Sequence, residues 1–125
     1  MKLIHGDCLV EMATIEDKSV DMILCDLPYG TTACKWDSII PFAPLWEHYR
    51  RIIKDRGAIV LFGSQPFSSV LICSNLAQFR YEWVWDKVNK FSGHLNAKIQ
   101  PMRQTERIHV FSKLSPNYYP VMVDG

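Results

Sequence analysis

Asp26-Leu27-Pro28-Tyr29 is the segment of this chain whose residue types and spacing could do chemistry. The residues before it, Val20 to Cys25, are almost continuously apolar and broken only by Asp21, so the segment is expected at the tip of a buried strand. Pro28 removes a backbone donor and Gly30 permits a turn, which ends the strand abruptly. There the Asp26 carboxylate accepts hydrogen bonds, the Leu27 carbonyl accepts another if the turn aims it outward, and Tyr29 offers a flat aromatic face. Two acceptors and a stacking platform suit a planar group that carries an exocyclic NH₂. Each acceptor engages one N–H, and the nitrogen lone pair is turned out of ring conjugation toward an electrophile. A base amine in a duplex reaches such a pocket only if its nucleotide is flipped out, and stacking on Tyr29 offsets part of the lost base stacking.

The elements that must position this segment follow from periodicity. Lys2-Leu3-Ile4-His5 reads as a short strand ending at Gly6-Asp7, and Asp7 caps a short helix with Leu9, Met12 and Ala13 on one side. The Val20–Cys25 strand is expected to be covered on both faces, and residues 30 to 44 read as a loop with Pro28, Pro41 and Pro44 at or near its edges. Leu45, Tyr49, Ile52 and Ile53 recur at helical spacing, opposite Glu47, His48, Arg50, Arg51 and Lys54, and Asp55-Arg56-Gly57 reads as the end of that helix. Ala58 to Phe62 is a second buried strand. Gly63-Ser64-Gln65-Pro66 opens another helix, with Ser64 as its cap and Phe67, Val70 and Leu71 as its apolar face. Tyr81 to Asp86 and Arg107 to Ser112 are further strands, and the alternation of Trp83 and Trp85 with Val84 puts at least one of the two in the core. Strands alternating with helices make an α/β fold, in which ligands gather outside the carboxyl ends of strands. Asp26, Gly63 and Asp86 each fall just past such an end and are expected to share one crevice.

A chain of 125 residues suffices for one domain. With 48% hydrophobic and 22% charged residues it is neither disordered nor fibrous, and its longest apolar runs are too short to span a bilayer. The N-terminus lacks the long apolar region of a signal peptide, so the expected place is the cytoplasm. Cys8, Cys25, Cys34 and Cys73 are widely separated, with no Cys-x-x-Cys pair, and read as reduced thiols rather than a metal site. Net charge is only +1, but Lys87, Lys90, Lys98, Arg103, Arg107 and Lys113 stand against Glu106 alone. A basic stretch interspersed with Asn, Gln, His and aromatics suits a phosphate backbone and exposed bases. Taken alone, it suits a solvated surface equally well.

Asp26-Leu27-Pro28-Tyr29 resembles the Asp-Pro-Pro-Tyr motif of amino-group (N6-adenine or N4-cytosine) DNA methyltransferases, with Leu at a position that contributes its backbone carbonyl. Gly6-Asp7-Cys8, Ser19-Val20-Asp21, Lys35-Trp36-Asp37, Gly57-Ala58-Ile59-Val60, Trp85-Asp86-Lys87 and the stretch from Asn96-Ala97-Lys98 to Glu106 are similar to the same family, in the same order. Together they cover residues 3 to 113. The similarity is to the permuted type, in which the catalytic motif precedes the glycine-rich cofactor motif, as in phage-encoded adenine methylases. It implies a partial Rossmann-like S-adenosylmethionine-dependent methyltransferase fold with a mostly parallel sheet. It also implies S-adenosylmethionine as cofactor and double-stranded DNA as partner. The acceptor would be the exocyclic amine of a flipped base, adenine N6 given the Asp at the motif's first position.

Carried over residue by residue, Asp26 accepts from the target amine, Leu27 acts through its carbonyl, Pro28 shapes the turn and Tyr29 stacks. Asp7 would meet the cofactor's adenine, with Cys8 beside it, a role compatible with helix capping. Lys87, Asn89 and Phe91 would face DNA or the flipped base. Trp36 would contact DNA or close as a lid on its own domain. No covalent nucleophile is required, because the cofactor's methyl is already electrophilic and the protein has to align it with the amine and stabilise developing charge.

The permuted family continues with a glycine-rich Phe-x-Gly-x-Gly-like strand and turn for the methionine half of the cofactor, and Gly63-Ser64-Gln65 is no substitute for it. Residues 1–125 are therefore expected to be the N-terminal, catalytic-motif portion of a methyltransferase domain, with an exposed sheet edge and little methyl transfer alone. The expected partner is the missing C-terminal half of the same enzyme or a second subunit, with a homodimer also allowed and no membrane. The setting would be a bacterial or phage-infected cell. Two other readings stay open: a non-catalytic DNA-binding remnant, and an amino-group methyltransferase acting on RNA or protein.

Overall fold

An apolar stripe on one helix and alternating apolar residues on the strand after it place the core of this chain between them. The computed structural model describes residues 1–93 and 96–125. The elements in chain order are α1 (Cys8–Met12), β1 (Val20–Cys25), α2 (Phe42–Ile52), β2 (Ile53–Gly63), α3 (Phe67–Ser74), a 3-10 turn (Leu76–Gln78), β3 (Phe79–Asp86) and β4 (Thr105–Phe111). Asp7 caps α1 as expected, accepting a hydrogen bond from the Leu9 amide at 2.9 Å. Leu45, Trp46, Tyr49 and Ile52 of α2 and Phe67 and Leu71 of α3 bury against Ile59 and Leu61 of β2 and Phe111 of β4. Each such side chain contributes roughly 1.5–3 kcal/mol by leaving water. Among the described residues no helix is long and apolar enough to cross a membrane.

The sheet order is β1-β2-β4-β3. β1 pairs parallel with β2, and β4 runs antiparallel to both β2 and β3. Three of the four strands therefore point the same way, as expected of a mostly parallel sheet, yet two of the three ladders are antiparallel. The cause is the β3–β4 connection: without a long crossover helix over the sheet, the returning strand must run back beside its predecessor. The carboxyl ends of β1, β2 and β3 consequently share one edge.

Several local expectations are corrected. Lys2–His5 is not a strand; these residues are exposed and pair with nothing described. The second helix ends at Ile52 rather than at Gly57, since Ile53 already pairs with Val20 in the β1–β2 ladder. Gly57 lies inside β2, where a Cβ would come within 2.7 Å of the Asp21 carbonyl oxygen; close strand approach, not a helix stop, requires glycine there. On α3 the Gln65 side chain, not Ser64, accepts from the first-turn amide of Ser69 at 3.2 Å, and Val70 is exposed.

Helices cover one face of the sheet only. On the other face the register aligns Met22 and Leu24 of β1, Ala58, Val60 and Phe62 of β2, Ile108 and Val110 of β4, and Tyr81, Trp83 and Trp85 of β3. Met22 and Leu24 are exposed, so β1 is not covered on both faces as expected. Trp83 at 57% and Trp85 at 47% exposure are both outside the core: no helix packs on their side of β3 among the described residues, and the C-terminal Ser115, Pro116 and Tyr118 only line a shallow cavity with Tyr81 and Trp83. Met22 and Leu24 at one side of this face and Tyr81, Trp83 and Trp85 at the other are exposed apolar side chains, whereas Val110 between them is buried.

Candidate functional site

Where β1 ends, four residues turn out over the carboxyl edge of the sheet. The Leu27 side chain is buried and joins the core, which anchors the turn, while Asp26 before it is exposed. Tyr29 Oη donates to Asp26 Oδ1 at 3.0 Å. The Tyr29 ring stacks on Phe67 at 4.9 Å and 27°, so the amino end of α3 fixes its plane. Burial, then the Asp26 charge and the hydrogen bond to it, push the Tyr29 phenol well above its ordinary value. Tyr29 is therefore a protonated donor and an aromatic wall, not a base.

The loop that follows is held by a carboxylate. Buried Asp37 accepts from the Gly30 amide at 3.0 Å and the Thr32 amide at 2.7 Å. The Thr32 hydroxyl and these amides hold its carboxyl below the usual carboxylate range. Asp37 thus ties residues 30–32 beside Tyr29 and shapes the mouth of the site.

Three adjoining cavities meet at this turn. The central one, about 310 Å³, is lined by Asp26, Leu27, Pro28, Tyr29, Thr31, Thr32, Trp36 and Asp37. It shares Pro28 and Trp36 with a second cavity of about 260 Å³ that reaches Asp7, Cys8, Leu9 and residues 38–41. It shares Tyr29, Thr31 and Thr32 with a third of about 510 Å³, walled by Ser64-Gln65-Pro66 beyond β2 and by Ser92, Asn96, Gln100, Arg103 and Glu106. The second cavity combines an exposed carboxylate, Asp7, with the apolar surfaces of Leu9, Pro28, Trp36, Ile39 and Ile40, an acceptor and apolar walls that fit an amino-bearing heterocycle. Burial first, and then the Asp7 charge, raises the Cys8 thiol; burial likewise raises Cys25, so neither is an activated nucleophile.

No protein-family model matches the chain. Among solved structures, the PvuII DNA methyltransferase (cytosine-N4-specific) superposes with a TM-score of 0.68 at 13% identity, over 89% of this chain and 48% of that one. TTHA0409 of Thermus thermophilus, described as a DNA modification methylase and complexed with S-adenosyl-L-methionine, gives 0.60 at 15% identity over 94% and 56%. M1.HpyAVI in complex with SAM gives 0.56 at 17% identity over 94% and 57%. This chain shares their fold. It spans about half the length of these structures, and at such identities the likeness carries architecture alone.

Within this methyltransferase fold, the structure brings Asp26, Leu27, Pro28, Tyr29 and Trp36 around one cavity and puts Asp7 and Cys8 on the adjoining one. Lys87, Asn89 and Phe91 line none of the three cavities. Lys87 is drawn back along the β3–β4 ladder, where it pairs with Glu106 and lies 5.7 Å over the Trp85 ring. Asn89 has a left-handed φ of 63° and is exposed, as is Phe91. Of the three strand ends expected in one crevice, Asp26 lines the central cavity and Ser64, after Gly63, the adjoining third one. Asp86 instead accepts from Gln104 Nε2 at 2.7 Å and the Val88 amide at 3.1 Å, closing the hairpin. Sequence reasoning passed over Gln65, Asn96, Gln100 and Asp37 as site residues. Arg103 it counted only within the basic stretch and the family-like stretch from Asn96 to Glu106, and nothing local distinguishes it there from its neighbours.

Proposed function

We propose that this chain carries the target-base half of an S-adenosylmethionine-dependent DNA amino-methyltransferase, with adenine N6 as the acceptor. The observation that carries this reading is the position of Asp26-Leu27-Pro28-Tyr29 at the junction of the three cavities. A flipped base entering there meets a carboxylate whose Oδ2 has no described partner, and an aromatic ring whose plane is set by Phe67. Asp26 accepts one N–H of the amine and stabilises the positive charge that grows on nitrogen. Tyr29 Oη holds Oδ1 in place, and the stacked ring sets the base plane. Asp26 at the motif's first position favours adenine over cytosine.

Asp7 and the apolar walls of the second cavity would take the adenine end of S-adenosylmethionine. When bound, that cofactor supplies a methyl group made electrophilic by its sulfonium. Among the described residues, nothing with the character of a glycine-rich turn offers a cradle for its methionyl end. We therefore assign that cradle to a second polypeptide segment, either the C-terminal half of the same enzyme or another subunit. The exposed Met22 and Leu24 and the open edge of β1 suit such a partner.

The test uses duplexes that carry a mispaired adenine, a mispaired cytosine or an abasic site, compared by fluorescence anisotropy. The expected order is mispaired adenine, then mispaired cytosine, then abasic, with the order collapsing in Asp26→Ala. Equal affinity of the wild-type chain for abasic and mispaired duplexes would sink the reading. Labelled methyl transfer is expected only once a second segment is supplied, and normal turnover by the 125-residue chain alone would refute the half-site assignment.

A further inference from the structure

We propose that Arg103 is the phosphate-binding residue of the third cavity and holds a phosphodiester of the target strand beside the flipped nucleotide. The assignment rests on the DNA reading above and deepens it. Arg103 reaches across from the β3–β4 connection to the turn after β2, where Nη1 donates to Ser64 Oγ at 3.0 Å and to the Gln65 carbonyl at 3.1 Å. Those two bonds fix the plane of the guanidinium. Among the described residues, no acceptor takes Nε or Nη2, so the outer donors of the fork are left for a planar or tetrahedral anion.

The charge balance of the cavity points the same way. Among the described residues its lining holds one cation, Arg103, and one anion, Glu106. Glu106 is already neutralised by Lys87, while Arg103 has no carboxylate partner among the described residues. The cavity is thus electropositive at one point, and the other polar walls, Ser92, Asn96 and Gln100, are neutral donors and acceptors suited to a sugar–phosphate segment. A cofactor carboxylate is the other anion that could be considered. It is disfavoured by position, because this cavity joins the base site through Tyr29, Thr31 and Thr32, whereas Asp7 and Cys8 lie in the cavity that joins through Pro28 and Trp36.

The experiment measures binding of the full chain to the mispaired-adenine duplex over a range of salt. One lost phosphate contact lowers the slope of log K against log salt by about 0.9. Arg103→Ala is expected to weaken binding about tenfold or more at low salt and to reduce the slope by that amount. Arg103→Lys is expected to keep the slope while losing part of the affinity, since the point charge remains and the fork does not. A duplex with a neutral methylphosphonate at each position around the target should show one position that weakens wild-type binding and has no further effect on Arg103→Ala. If Arg103→Ala does not fold by circular dichroism, Arg103→Lys and the methylphosphonate scan carry the test.

An unchanged slope in Arg103→Ala, or a scan in which no position couples to Arg103, overturns the assignment and leaves the DNA reading standing. Failure of the wild-type chain to bind any duplex at low salt overturns the DNA reading and this inference with it. Weakening by free S-adenosylmethionine competing at Arg103, with no coupled phosphate, would reassign the residue to the cofactor carboxylate and refute the proposal.

Discussion

Gly63→Ala is the sharpest perturbation of the scaffold that holds the site. Gly63 ends β2 and leads into Ser64-Gln65, one wall of the polar cavity. A Cβ there would lie 2.5 Å from Ser68 Oγ and 2.9 Å from His109 Nε2. Neither atom can move aside cheaply: Ser68 is 1% and His109 0% exposed, and the two are hydrogen-bonded to each other at 2.9 Å. Overpacking a tight interior costs about 1–3 kcal/mol, and losing the buried Ser68–His109 bond adds about 0.5–1.5 kcal/mol. The expected loss is therefore about 1.5–4.5 kcal/mol, a large part of the roughly 5–15 kcal/mol that stabilises a domain. In urea denaturation followed by circular dichroism, with m of about 2 kcal/mol per molar, the midpoint should fall by about 1–2 M. Ser68→Ala alone loses the hydrogen bond; in the double variant it also removes the nearest clashing atom. The double variant is therefore expected to be less destabilised than the two single variants added together. A Gly63→Ala protein within about 0.5 kcal/mol of wild type, or strict additivity of the two changes, would refute this packing argument.

Two further outcomes follow from the geometry. Asp37 has a folded-state carboxyl pKa below its ordinary value, so its bonds to the Gly30 and Thr32 amides are complete above the usual carboxylate range and are lost only as pH falls through the lowered value. NMR shifts of those two amides should stay constant down to the ordinary carboxylate pKa and move only below it, and Asp37→Asn should abolish the movement; titration at or above the ordinary value would contradict the assignment. On the open sheet face, Met22→Lys with Leu24→Lys should markedly reduce binding of a hydrophobic dye and any self-association. Because both side chains are already exposed, the change in folding stability should stay within about 0.5 kcal/mol per site, and undiminished dye binding would show that this face is not the apolar surface in play.

What was legible beforehand was local. An apolar run that stops at Asp-Leu-Pro-Tyr-Gly needs only adjacent residues to declare a strand end, and the structure ends β1 at Cys25. The Asp7 cap was readable for the same reason, since its partner is two residues away. The end of α2 was not. Ile52 and Ile53 satisfy both a helical and a strand period, and the choice was made by Val20, which pairs with Ile53 from another part of the chain. Trp83 and Trp85 show the same limit: alternation says they share a face, but whether that face is buried depends on what packs against it.

Adjacent residues were enough, then, to put a carboxylate and an aromatic ring three positions apart at one strand tip. Tertiary structure alone decided which other residues share that site. It paired Lys87 with Glu106 and carried Arg103 across to Ser64 and Gln65, 39 and 38 positions away. The physical reason is that β4 returns antiparallel between β2 and β3, so the connection before it is laid against the turn that follows β2. No local pattern encodes that register, because it is set by which strand edges meet.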